Sequence, residues 1–405
     1  MLRRPLPLAL LLFALAEALF LFRLSVPSIF VFDEVHYVPA ARTLIALSGP
    51  ANIEHPLLGK SLIALGMLLF GDTPFGWRIM STLAGSVTCV AIFATTWLVT
   101  CRRRPSLVAA ALTLLGFTLY VQARIAMLDG FMLAFLSSAV AMIAWTLRRG
   151  GWWRWIVAAV LLGLAVGCKW LAAPYVAFAA AAFILFKRAD PRRFPGLPVW
   201  PALAVLGILS VLSYFATFAP AFFYQVEPLT LARLIPFQLD MYERQTQVLP
   251  AHAYQSNWWT WPLLIRPIWY LYEPVDGTQR GILLIGNPLI MWSGLVAVAA
   301  CWIGWVRTGA PRLFAAAWLW TGSLAIWAVI PKSLGFYYYY FPSSVFLAVP
   351  LALMLDHWRS RWRHIDLAFV AAALALAIYF LPVLSAAPLP DGGAFRYWTW
   401  FGTWV

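Results

Sequence analysis

Charge is what this chain has least of. Of its 405 residues, 11% are Asp, Glu, Lys or Arg, against about a quarter in a soluble domain. That poverty excludes an ordinary soluble fold. Cysteine is also scarce. Cys89, Cys101, Cys168 and Cys301 lie far apart, in or beside apolar runs, which excludes a disulfide framework and a cysteine-based zinc site. There is no low-complexity tract, and no inverted repeat of the kind that marks many transporters. No stretch long enough for a sizeable extramembrane domain separates the apolar runs.

What is abundant is apolar sequence, at 63% of residues. The runs fall at roughly 5–25, 76–100, 105–121, 128–147, 153–168, 170–186, 199–220, 282–306, 313–330, 338–355 and 365–385. Most are long enough to cross a hydrocarbon core, which takes about 20 helical residues. They are continuous rather than alternating, so a β-barrel is not expected. The reading is an all-α polytopic membrane protein of about eleven spans, one domain over 1–405. The first run starts Met-Leu-Arg-Arg, contains Glu17 and lacks a clear small-x-small cleavage site; it reads as a retained signal anchor.

Arginine and lysine set the orientation. With the N-terminus in the cytoplasm, the inner connections carry Arg3–Arg4, Arg102–Arg104, Arg148–Arg149 with Arg154, Lys187–Arg188 with Arg192–Arg193, Arg307 with Arg312, and Arg359, Arg361 and Arg363. Only Asp190, Asp356 and Asp366 oppose them, so the formal surplus of +14 falls on that side. The basic balance is therefore topological, and no nucleic-acid partner is expected. A bacterial plasma membrane fits, with the long outer loops 26–75 and 221–281 facing the periplasm. Interfacial helices are expected in both, with 38–47 and 58–70 as candidates in the first.

The outer connections hold the polar residues. Asp33, Glu34, His55 and Lys60 lie in the first loop, Arg124 and Asp129 flank the second, Lys169–Trp170 form the third, and Lys332 precedes Tyr337–Tyr340 in the fifth. Charges kept this close to a bilayer usually mark a site. Carboxylates can deprotonate a hydroxyl, lysine and arginine can hold a phosphate, and aromatic rings can cover a sugar. One cavity collecting these groups suits a polyprenyl-phosphate sugar donor. Each residue also has a plainer reading: solvated loop acids at Asp33–Glu34, a snorkelling Lys60, an Arg124–Asp129 pair at a helix end, an interfacial Lys169, an aromatic belt at Tyr337–Tyr340. A transporter or flippase would instead place ionisable groups at mid-membrane.

In this order the motifs resemble those of the protein O-mannosyltransferases, including bacterial members, within the C-type membrane glycosyltransferases. They are Phe32-Asp33-Glu34, His55-Pro56-x-Leu58-Gly59-Lys60, Phe75-Gly76-Trp77-Arg78, Arg124-Ile125-x-x-Leu128-Asp129, Lys169-Trp170, Tyr254-Gln255-Ser256 with Trp261-Pro262, Gly286-Asn287-Pro288 and Tyr340-Phe341-Pro342. The resemblance implies an eleven-span fold, a polyprenyl-phosphate-mannose donor, and transfer to a Ser/Thr hydroxyl with inversion. It implies Asp33 as base, with Glu34 supporting it or binding the acceptor. It implies Arg124, with Lys60 or Lys169, near the donor phosphate, and Asp129 matches a second acidic position of related lipid-sugar transferases. Together with the shared side of the outer loops, the expected donor contacts are His55, Lys60, Arg124, Asp129, Lys169, Trp170, Lys332 and Tyr339, and the expected acceptor-side residues are Tyr254, Gln255 and Trp258. No cofactor or metal is implied, and no Asp-x-Asp motif is present. The common His-Pro-Pro-Leu-Gly-Lys is here His-Pro-Leu-Leu-Gly-Lys. Loop 221–281 has no room for the soluble β-trefoil of eukaryotic members. The acceptor stays open between protein, glycan and lipid, and so does the oligomeric state.

Overall fold

A computed structural model of the chain describes residues 5–330 and 332–405. Arg3 and Arg4 lie outside the described residues. The order is α1 (Leu6–Leu21), α2 (Glu34–Ile45), α3 (Leu58–Phe70), α4 (Pro74–Thr100), α5 (Arg103–Leu114), α6 (Phe117–Gln122), α7 (Leu128–Arg149), α8 (Trp152–Cys168), α9 (Ala173–Ala189), α10 (Val199–Ala216), α11 (Leu234–Gln245), a hairpin of β1 (Ile268–Val275) and β2 (Thr278–Leu284), then α12 (Pro288–Thr308), α13 (Pro311–Ala325), α14 (Phe341–Phe346), α15 (Ala348–Trp358) and α16 (Ile365–Leu384). Every apolar run of the sequence contains helix. Among the described residues, seven helical stretches are long and apolar enough to cross a membrane, and α1, α3 and α8 are shorter apolar helices.

Local chemistry sets many boundaries. Pro74 opens α4 behind Thr73, whose hydroxyl accepts from the Gly76 N–H; Pro174, Pro288 and Pro311 stand in the first turns of α9, α12 and α13. Proline costs nothing there, because the first-turn N–H groups have no helical acceptor. Gly150 ends α7 at φ +60, where a side chain would strike the Pro195 carbonyl. Glu17, the carboxylate inside α1, accepts from the hydroxyls of Thr82 and Ser86 on α4 at 2.6 and 2.7 Å. A half-buried carboxylate in an apolar helix needs such donors.

Burial separates centre from rim. Nearly all residues of the apolar window within Tyr337–Trp358 are buried, whereas only about a fifth are in that of Ile365–Leu384, which faces outward. The two ends of the bundle differ in chemistry. At one end, Arg104 pairs with Asp366 at 2.6 Å, Arg102 pairs with Asp356, Arg148 donates to the Leu98 carbonyl, and the Phe194 N–H bonds the Leu147 carbonyl. These contacts gather the basic connections together. At the other end, Gln225 bonds Leu47, Gln245 bonds Glu54, Lys332 bonds Gln245, and Ser28 bonds Asp276. Those contacts gather the long loops.

Helix α3 occupies the stretch expected at 58–70, α2 overlaps the one expected at 38–47 but begins four residues earlier, at Glu34, and α11 lies in the second long loop. The hairpin was not expected. Residues 282–284, read as the start of a span, belong to β2, and the helix begins at Pro288. The strands pair antiparallel around Asp276–Gly277, both with positive φ. Such a turn suits the twist of a two-residue hairpin. The fold is thus helical with one small sheet at its polar end.

Candidate active site

The first long loop enters the site through a strained turn. Phe32 has φ +50, a region disfavoured for a bulky side chain. Its ring stacks on Tyr270 of β1, with centroids 4.0 Å apart. Tyr37 donates to the Asp33 carboxylate at 3.3 Å. Asp33 sits at the N-cap of α2 without a side-chain capping bond, so the helix does not consume its carboxylate.

Glu34 is arranged differently. Its oxygens accept from Arg78 Nε and Nη2, and from the N–H groups of Val31 and Ala126, each at 2.8 Å. Both partners of this pair are fully buried. Arg78 also donates to the carbonyls of Leu24, Pro27 and Ile29. All the bonding capacity of Glu34 goes to holding the first loop against α4 and the start of α7. This geometry leaves it no oxygen for a base or acceptor-binding role.

Asp129 on α7 and Lys169, between α8 and α9, form a buried pair at 2.7 and 2.9 Å. The Lys169 ammonium lies 5.1 Å from the ring centre of Tyr338 and 5.7 Å from that of Tyr339. Burial works against its charge, but Asp129, Tyr339 and Asp33 outweigh that and hold the lysine above its ordinary pKa. Burial raises the pKa of Asp33; Lys169 opposes the rise and Asp129 adds to it. Asp33, Asp129 and Lys169 therefore form one electrostatic unit.

Two cavities flank α11. One, of about 470 Å³, is mostly apolar and includes His55, Lys169, Trp170, Tyr214, Lys332 and Tyr339. The other, of about 510 Å³, is more polar and includes Lys60, Glu227, Arg233, Asp240, Glu243 and Arg244. His55 lines both. Its Nδ1 is buried without a partner among the described residues. Burial, then the charges of Lys169, Lys60 and Lys332, holds its pKa well below the ordinary value, so it is a neutral ring. Lys332 donates to the Gln245 carbonyl at 2.9 Å, and burial brings its pKa down to about 8. Trp170 donates to the Tyr214 hydroxyl at 2.8 Å.

Other residues that the resemblance brings near the donor are committed elsewhere. Lys60 donates to the carbonyls of Ala51, Asn52 and His55 at 3.2, 2.7 and 2.9 Å. An ammonium has three donors, so Lys60 is spent on pinning segment 51–55, and burial lowers its pKa to about 7. Arg124 donates to the carbonyls of Phe20, Phe22 and Arg23 and stacks on Tyr120, so it ties the end of α1 to the turn before α7. These contacts place neither cation in position to reach a donor phosphate. Tyr254, Gln255 and Trp258 line neither cavity, and neither do Asp33 and Asp129, whose link to the mostly apolar one is Lys169. Gln255 bridges to Phe336, the Ser256 N–H donates to Gly335 at 2.8 Å, and Trp261 sits 6.1 Å from Tyr339. This segment braces the tyrosine run from behind.

Sequence reasoning left out Arg78 as a site residue, along with Tyr37, Tyr270 and Tyr338. A lone arginine inside an apolar helix was a readable cue for Arg78. Tyr270 had none, since its position depends on a hairpin.

Comparison with known proteins gives the class first. One chain of the Saccharomyces cerevisiae protein O-mannosyltransferase Pmt1–Pmt2 complex bound to the sugar donor superposes with a TM-score of 0.78 at 13% identity, covering 98% of this chain and 92% of that one. ArnT from Cupriavidus metallidurans bound to undecaprenyl phosphate gives 0.60 at 14% identity, covering 93% and 74%. The fold is that of the C-type membrane glycosyltransferases. The sequence then narrows the class. A family model described as dolichyl-phosphate-mannose-protein mannosyltransferase matches residues 54–218, and one described as the C-terminal four-span region of protein-O-mannosyltransferase matches 230–312. Relatives named polyprenol-phosphate-mannose–protein mannosyltransferase share 26% identity in Mycobacterium tuberculosis, covering 89% of this chain and 84% of that protein. The Corynebacterium glutamicum protein of the same name also shares 26%, covering 92% and 88%. The chain belongs to the protein O-mannosyltransferase family.

Proposed function

We propose that this enzyme transfers mannose from a polyprenyl-phosphate-mannose donor to a Ser/Thr hydroxyl of a protein, at the periplasmic face of a bacterial plasma membrane. The observation that carries the reading is the unequal use of two adjacent carboxylates. Glu34 is saturated by four internal bonds, while Asp33 keeps its carboxylate beside the Asp129–Lys169 pair with one hydrogen bond from Tyr37.

Asp33 takes the proton of the acceptor hydroxyl as its oxygen attacks the anomeric carbon. The bond from that carbon to the phosphate oxygen breaks on the opposite side, its electron pair stays on the phosphate, and the configuration inverts. Lys169 and Lys332, both on the wall of the mostly apolar cavity, stabilise the phosphate charge. The apolar remainder of that wall suits a prenyl chain. The more polar cavity beyond α11 takes the acceptor, and neutral His55 stands between the two. The gathering of basic connections at the end away from Asp33 supports an outer-facing site.

The test is transfer from labelled polyprenyl-phosphate-mannose in membranes carrying the enzyme, followed by fractionation. Label in protein, released by β-elimination, is the expected result. Label in a lipid or polysaccharide fraction would reassign the acceptor, and no transfer from this donor would overturn the reading.

A further inference from the structure

A second cavity system lies at the basic end, far from Asp33. It opens between α9 and α13, holds about 140 Å³, and its wall includes Leu147, Ala182, Phe186, Phe194, Phe314 and Trp318. The last turn of α9 separates it from a shelf of about 160 Å³ formed by Ile184, Lys187, Arg188, Val199, Trp200 and Leu203. Trp200 is 80% exposed at a span end, the depth that tryptophan favours in a bilayer. One turn of chain thus has an apolar recess on each side.

That turn is basic. Between 187 and 193 stand Lys187, Arg188, Arg192 and Arg193 against the single acid Asp190. Arg192 and Arg193 reach Asp190 only at 3.9 and 3.8 Å, with Arg192 almost fully exposed. Arg188 makes no ion pair among the described residues. The Arg193 guanidinium lies 5.4 Å from the ring centre of Phe186, which itself lines the cavity. Positive charge therefore sits at the mouth of the recess. Helix α10 begins directly behind, with no side-chain cap on its first N–H groups, and adds the positive end of its dipole.

We propose that the α9–α10 turn is a binding site for an anionic phospholipid. Its headgroup sits over Arg188 and Arg193, while Lys187 donates to the carbonyls of Arg193 and Phe194 and holds the turn in shape; one acyl chain enters the α9–α13 cavity, and the other lies along the Trp200 shelf. A zwitterionic lipid offers the same chains but not the net charge. A polyprenyl chain descending from the donor cavity is the competing occupant. The charge disfavours it, because the arginines stand at the end of the molecule away from Lys169.

The experiment uses the full chain in detergent and phosphatidylglycerol with dibrominated acyl chains, read by quenching of tryptophan fluorescence. Trp318 lines the cavity and Trp200 the shelf. Saturable quenching is expected at roughly tenfold lower concentration than with dibrominated phosphatidylcholine. Arg188→Ser with Arg193→Ser should erase that preference, and Ala182→Trp should fill the recess and lower the quenching at saturation. Thermal unfolding without lipid checks the fold of each variant, and the arginine pair decides the matter if Ala182→Trp does not fold. Equal quenching by the two lipids, or a preference unchanged in the arginine variant, overturns the proposal. So does displacement of the brominated lipid by undecaprenyl phosphate, which would give the recess to the prenyl chain.

Discussion

The Glu34 carboxylate accepts four internal hydrogen bonds; the next carboxylate along the chain, Asp33, accepts one, from Tyr37. Substitution should separate them. Glu34→Ala leaves the Arg78 guanidinium buried and uncompensated, which costs about 3–5 kcal/mol. The expected outcome is a large fall in the thermal midpoint of the purified protein, with a smaller fall when Arg78→Met is added. A protein that folds normally with Glu34→Ala alone would show that the clamp is dispensable. Titration gives a second prediction. Burial raises the Asp33 pKa, and the base works only when ionised, so kcat/KM should fall with acid at a pH above the ordinary carboxylate range near 4. Lys332, with its pKa near 8, loses its charge as pH rises through that value, so the KM for donor should rise there. An acid limb at or below the ordinary carboxylate value would contradict the Asp33 assignment, and a donor KM that stays flat through pH 8 would contradict that of Lys332. The sequence shows Asp33 and Glu34 as an undivided acidic pair. What divides them is Arg78, 44 positions on, and the backbone of Ala126, 92 positions on. Spacing along the chain carries no signal for either contact.

At the scale of elements, α2 and α3 were readable because short apolar stretches bounded by polar turns have few other ways to lie at a membrane surface. The hairpin was not readable in the same way. The end of its second strand, Ile282–Leu284, is apolar and runs on toward α12, so continuous hydrophobicity merges the two; the Asp276–Gly277 turn was the available cue. Segment 51–55 shows how a loop without regular structure is held: three of its carbonyls converge on the Lys60 ammonium. Lys60→Met removes those bonds and leaves the carbonyls unpaired. The expected result is faster proteolysis within 50–56 and a lower kcat, with the donor KM close to native. A selective rise in donor KM with an intact loop would return Lys60 to the phosphate.

For the whole molecule, an odd number of crossings requires the chain ends to lie on opposite faces. Arg266 in the second long loop donates to the carbonyls of Thr403 and Val405, while Arg124 bonds the last carbonyls of the first span. The C-terminus and the exit of α1 are therefore at the same end. A membrane-impermeant maleimide should label Ser25→Cys and Thr403→Cys in intact cells, and Ser360→Cys only after lysis. The reverse pattern would turn the molecule over and place the site inside. The sequence speaks to this polarity through arginine placement alone, and the labelling experiment decides it. The catalytic claim, however, rests on a single carboxylate. Its most direct test is the initial rate of transfer from labelled polyprenyl-phosphate-mannose by the native enzyme and by Asp33→Asn, at matched protein levels and with unfolding midpoints recorded. Loss of a general base predicts a fall in kcat of about 10²–10⁴-fold with the fold and donor binding preserved. Native-like transfer by the Asp33→Asn enzyme would contradict the account at its centre.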